Sequence, residues 1–96
     1  MRIDFKRSGG FAGLKMSKTI DTNNLNPDES KGVINLVESS GFFDLPTVIS
    51  GTGADRYQYD LTIDWDGRKH GVQIDESAIP PKLMPLIEWI ERQMIK

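Results

Sequence analysis

The segment Arg56–Asp75, RYQYDLTIDWDGRKHGVQID, decides the fold. Tyr57, Tyr59, Leu61, Ile63 and Trp65 alternate with Gln58, Asp60, Thr62 and Asp64. That is the period of two expected of a strand with one buried face. Asp66-Gly67 then offers a two-residue turn, because glycine accepts the positive φ that a tight primed turn demands. The chain returns through RKHGVQID with Val72 and Ile74 on one side. An antiparallel hairpin results, and its apolar face needs a cover.

Working outward, a second pair of alternating runs precedes it. Ile3 and Phe5 oppose Arg2, Asp4 and Lys6, and Leu14, Met16 and Ile20 oppose Lys15, Ser17 and Thr19. A glycine-containing connection joins them, which reads as another hairpin. Between the two hairpins, Asn26 can cap a helix, Pro27 fits its first position and Glu29 completes a capping-box pattern. Val33, Ile34, Leu36 and Val37 form the buried side, and Gly41 marks the stop. Phe42, Phe43 and Leu45 pack the helix end onto the sheet before Pro46 turns the chain. Ser50–Asp55, SGTGAD, lacks periodicity and reads as a loop. In the last segment Leu83, Leu86, Ile87, Ile90 and Met94 follow helical spacing. Pro85 cannot donate its backbone N–H, so the regular helix starts there after a tighter turn from Pro81. Glu88 and Arg92 can pair on its outer side.

The predicted order is β-β-α-β-β-α, an α+β fold. A four-stranded antiparallel sheet with two helices on one face buries both helical stripes. Residues 1–96 read as a single domain, since the 96-residue chain shows no linker or low-complexity stretch and has room for one core.

Composition narrows the function. Apolar residues are 38% and charged residues 27% of the chain, a globular balance. The net charge of −2 gives no electrostatic footprint for nucleic acid or an anionic membrane. No apolar run approaches the roughly 20 residues that span a bilayer, and MRIDFKRS lacks the apolar core of a signal peptide. A cytoplasmic protein is the expectation. With no cysteine there is no disulfide, thiolate nucleophile or sulfur-bound metal. No coiled-coil pattern asks for a dimer, so a monomer is expected.

Candidate chemistry is thin. His70 is the only histidine, without an HExxH pattern, and reads as an ordinary surface or cross-strand side chain. DWDG at Asp64–Gly67 lacks the further oxygen ligands and late Glu of a calcium loop. Asp60, Asp64, Asp75 and Glu76 read as a solvated sheet face rather than the separated pair that acid–base catalysis needs. Neither SGG nor GTG continues into a phosphate-binding loop, so no nucleotide is implied. No serine has a base and orienter around one exposed histidine. Tyr57, Tyr59 and Trp65 are core beneath the helices, or else a ligand platform. No cofactor is expected, and the protein is not an enzyme by these criteria.

One stretch resists the bland reading. Ser8–Gly13, SGGFAG, seats Phe11 among three glycines and an alanine. It is either a bulged hairpin with Phe11 folded over the sheet edge, or a presented loop whose aromatic enters a partner's pocket. Two residues would suffice merely to turn the strand.

RSGGFAG, ADRYQYDLTI and VQIDESAIPPKLMPLIEWI together resemble the emfourin family, from about Ile3 to Ile90. The resemblance implies a cytoplasmic bacterial inhibitor of thermolysin-like zinc metalloproteases, protealysin-type enzymes among them. It implies no catalysis of its own, and any zinc would be the partner's. Such enzymes favour a bulky apolar residue after the scissile bond. Ser8, Gly9, Gly10, Phe11, Ala12 and Gly13 would then form the docking loop, with Phe11 filling that pocket. A stable complex buries about 800 Å² per partner, more than six residues supply. SGTGADR is the candidate second loop, with Asp55 or Arg56 setting register or simply pairing with each other. An adaptor module using the same loop for another protein, and a small-molecule binder using the aromatic face, are the alternatives.

Overall fold

The computed structural model describes residues 1–9, 15–51 and 57–94. β1 (Arg2–Gly9) and β2 (Met16–Asp21) pair antiparallel, with Ile3 opposite Ile20 and Arg7 opposite Met16. Then come α1 (Pro27–Ser40), a short β3 (Val48–Ile49), the hairpin β4 (Tyr57–Trp65) and β5 (Arg68–Asp75), and α2 (Met84–Met94). The sheet has five strands in the order β2-β1-β4-β5-β3.

β3 corrects the four-stranded, wholly antiparallel expectation. Beyond Pro46 the chain extends and pairs parallel with β5, Val48 opposite Gln73 and Ile49 opposite Ile74. The Gln73 amide donates to the Thr47 carbonyl at 2.8 Å. Two residues are too few to show alternation, and Val48 is 54% exposed at the sheet edge, so no periodic signal exists there.

The central hairpin forms as the sequence requires. Asp66 and Gly67 both take positive φ, 53° and 77°, and Trp65 faces Arg68 across the turn. β1 then pairs antiparallel with β4, placing Phe5 opposite Leu61 and joining the two hairpins edge to edge. Ile3, Phe5, Ile20, Tyr59, Leu61, Ile63, Val72 and Ile74 form one buried cluster with Val33 and Val37 of α1 and Leu86, Ile87 and Ile90 of α2. Both helices therefore cover the same face. Alternate residues such as Lys6, Asp64 and Lys69 point to solvent, the arrangement an antiparallel sheet tolerates.

The helix ends obey local chemistry. The Asn26 side chain accepts from the Glu29 amide at 2.8 Å and donates to the Glu29 carboxylate at 2.7 Å, satisfying one of the orphan donors of the first turn. Gly41 ends α1 in the left-handed region, at φ 65°. Leu83 and Met84 donate back to the Pro80 and Pro81 carbonyls, a tight turn at the prolines that leads into α2 at Met84, one residue before the expected Pro85. Glu88 and Arg92 form no ion pair among the described residues; the salt bridge of α2 is made by Glu91.

Candidate functional site

One end of the sheet gathers the roots of both sequence-predicted loops. Pairing of β1 with β2 stops at Arg7 and Met16. Pairing of β1 with β4 runs two residues further, Ser8 opposite Gln58 and Gly9 opposite Tyr57. Gly9 immediately precedes residues 10–14, and Tyr57 immediately follows residues 52–56. Directly opposed residues of an antiparallel pair lie about 4.5–5.5 Å apart at Cα, so the two segments leave one point of the sheet. Gly9 has φ 90°, a conformation that side-chain-bearing residues resist. Of the expected docking residues, Ser8 and Gly9 sit on this strand end. Gly10, Phe11, Ala12, Gly13, Asp55 and Arg56 lie outside the described residues.

The turn after β5 holds both flanks of residues 52–56. Asp75 caps the 3-10 turn Glu76–Ala78 by accepting from the Ser77 amide at 2.8 Å. The Glu76 carboxylate accepts from the Tyr57 amide at 3.3 Å. On the other flank, Gly51 packs so closely that a Cβ there would stand 2.1 Å from Ser77 Oγ and 2.6 Å from Asp75 Oδ1. A side chain at position 51 would have to displace those two side chains. Asp75 and Glu76 thus serve this end of the sheet rather than a solvated face alone.

Arg7 forms the floor. Its Nη1 donates to Glu91 Oε2 at 2.7 Å, its Nη2 lies 3.0 Å from Met16 Sδ, and its guanidinium carbon sits 4.8 Å from the Tyr57 ring centroid. Beneath it Tyr59 is 3% exposed and stacks on Phe5, ring centroids 5.4 Å apart. Burial pushes the Tyr59 hydroxyl up to about 12, with help from the Glu91 and Glu76 carboxylates and partial relief from Arg7. Tyr59 is therefore core, and the Tyr57 ring is engaged by Arg7, which leaves no aromatic platform for a small ligand on these two residues.

Neither Arg7 nor Glu91 is singled out by motif reasoning, yet a signal for Arg7 exists. It shares the parity of Ile3 and Phe5, so it projects to the helix side of β1, where a cation needs a partner. Glu91 follows Ile87 by one helical turn and lies beside the apolar stripe of α2. His70 is half-buried, with Nε2 2.8 Å from the Leu45 carbonyl and its ring edge-on to Phe42. It ties the segment after α1 to β5. Among the described residues, no three His, Cys, Asp or Glu side chains converge where a metal ion could sit.

The family model described as Emfourin matches residues 5–91. The chain belongs to the emfourin family. Emfourins are protease-inhibitor domains, so this emfourin is an inhibitor whose partner is a protease, and it is not an enzyme. Neither the curated proteins nor the solved structures give a match. No helix among the described residues is long and apolar enough to cross a membrane.

Proposed function

We propose that this emfourin inhibits thermolysin-like zinc metalloproteases of the protealysin type by docking Ser8–Gly13 into or beside the active-site cleft. Phe11 occupies the pocket for the residue after the scissile bond, and its small neighbours let the backbone approach. The carbonyl before Phe11 faces the partner's zinc. Cleavage is resisted because the loop is anchored in a sheet at both ends, which keeps that carbonyl out of attack geometry. Residues 52–56 supply the second contact, with Asp55 or Arg56 setting register. Residues 1–96 act as one domain, monomeric and cytoplasmic, against a bacterial enzyme.

The observation that carries this reading is the Gly9–Tyr57 pair. It gives two short segments a common origin, and a second segment adds to an area that six residues alone do not supply. A strand-held loop also loses less conformational entropy on docking than a free peptide would.

The test is titration of the purified protein into a thermolysin-like protease while cleavage of a small peptide is followed. Stoichiometric inhibition without degradation of the inhibitor is expected. Phe11→Ala is expected to weaken inhibition by at least about 2 kcal/mol, as loss of an aromatic anchor does. An unchanged inhibition constant in the folded variant removes Phe11 from the contact. Absence of inhibition across several such enzymes favours an adaptor instead.

A further inference from the structure

Ile3, Phe5 and Arg7 share one side of β1, the side that faces the helices. Ile3 and Phe5 are buried there. Arg7 is a cation in the same row, and three elements meet it. Glu91 of α2 takes an ion pair at 2.7 Å. Met16, the first residue of β2, brings its sulfur to 3.0 Å. Tyr57, the first residue of β4, lays its ring 4.8 Å from the guanidinium carbon. Met16 is the first strand residue after the N-terminal loop, and Tyr57 the first after residues 52–56. One guanidinium therefore touches the strand ends downstream of both loops and ties them to the helix layer. A planar fork with several donors and a stacking face can do this at once, and an ammonium cannot.

We infer that Arg7, anchored by Glu91, is a positioning residue for inhibition: it fixes the spacing of the strand ends that present the two docking segments. The inference rests on the docking reading proposed above. Its physical content is preorganisation, since strand ends held before the encounter need not be ordered during it. The side chains of Arg7 and Glu91 are 23% and 31% exposed, and partly solvated pairs contribute little to folding. Removing the Glu91 charge should therefore leave the chain folded, which separates positioning from bulk stability.

The experiment compares Glu91→Gln, Arg7→Lys and Phe11→Ala in the full chain. Inhibition of a thermolysin-like protease is measured with the active fraction fixed by stoichiometric titration. Amide hydrogen exchange at Ser8, Gly9, Met16 and Tyr57 is followed in the free protein. Glu91→Gln is expected to weaken inhibition about three- to tenfold and to speed exchange at these amides. Arg7→Lys keeps the charge but loses the fork, and should behave alike rather than rescue. Phe11→Ala should have a smaller effect in the Glu91→Gln background than alone, because a poorly held loop gains less from its anchor. Unchanged inhibition by Glu91→Gln, with Phe11→Ala still weakening it, overturns the inference and leaves the docking reading standing. Unchanged inhibition by both overturns the docking reading and this inference with it. Weaker inhibition with unaltered exchange also overturns the positioning role, since Glu91 would then act by touching the protease itself.

Discussion

Tyr59 carries the clearest pH signature in the molecule. Its hydroxyl ionises at about 12, raised chiefly by burial, whereas an unfolded tyrosine ionises near about 10. The neutral form is favoured by folding, so its contribution is complete below pH 10. It is lost as pH climbs from the unfolded value through the folded one, because the unfolded chain releases its proton first. Two pH units set an upper bound of about 2–3 kcal/mol on that loss, reduced by solvent screening. Tyr59→Phe keeps the ring on Phe5 and removes the proton, so its stability should fall less between pH 9 and pH 11.5. Denaturant melts of both proteins measure the difference, and equal alkaline losses would contradict the assignment. At this scale the sequence is partly legible. The alternation in β4 identifies Tyr59 as core, and the parity of Arg7 puts a cation on the buried side of β1. Its partner was not readable, because Glu91 lies 84 positions away and only the packing of α2 across the sheet end brings it near.

Individual elements follow local rules closely. The α1 cap, its glycine stop, the Asp66-Gly67 turn and the proline-delayed start of α2 are all encoded by neighbours within a few residues. Two glycines of the same helix make contrasting tests. Gly32 lies within α1, and a Cβ there meets nothing within 4 Å; Gly32→Ala should stabilise the protein by about 1 kcal/mol through helix propensity. Gly41 holds φ 65°, and Gly41→Ala should destabilise by about 1 kcal/mol because alanine resists the left-handed region. Thermal melts of the two variants should move in opposite directions. A loss in Gly32→Ala would contradict the open helical site, and an unchanged Gly41→Ala would mean that the end of α1 is held by tertiary packing rather than by its cap. β3 marks the limit of such reasoning. Its two residues pair because Thr47–Ile49 runs alongside β5, with Leu45 tied to His70 just upstream. A long-range partner, not local pattern, makes it a strand.

At the scale of the whole molecule, the fold separates two tasks. The helix-covered face supplies the core, and one end of the sheet gathers Gly9, Gly51, Tyr57 and the Asp75–Ser77 turn. The class and the order of the long elements were legible because each strand and helix carries its own period. The meeting of Gly9 and Tyr57 at one end was not, because it depends on β1 pairing with β4 and on how far that pairing runs beyond β2. Gly9 and Tyr57, remote in sequence, become neighbours only through that register. The docking of that end on a protease is the central claim, and amide hydrogen exchange of the inhibitor with and without a thermolysin-like protease tests it most directly. Protection should rise in residues 8–14 and 50–58 and stay unchanged along α1 and the outer residues of β2. Protection confined to the helices or to the open sheet face, with residues 8–14 unaffected, would contradict it.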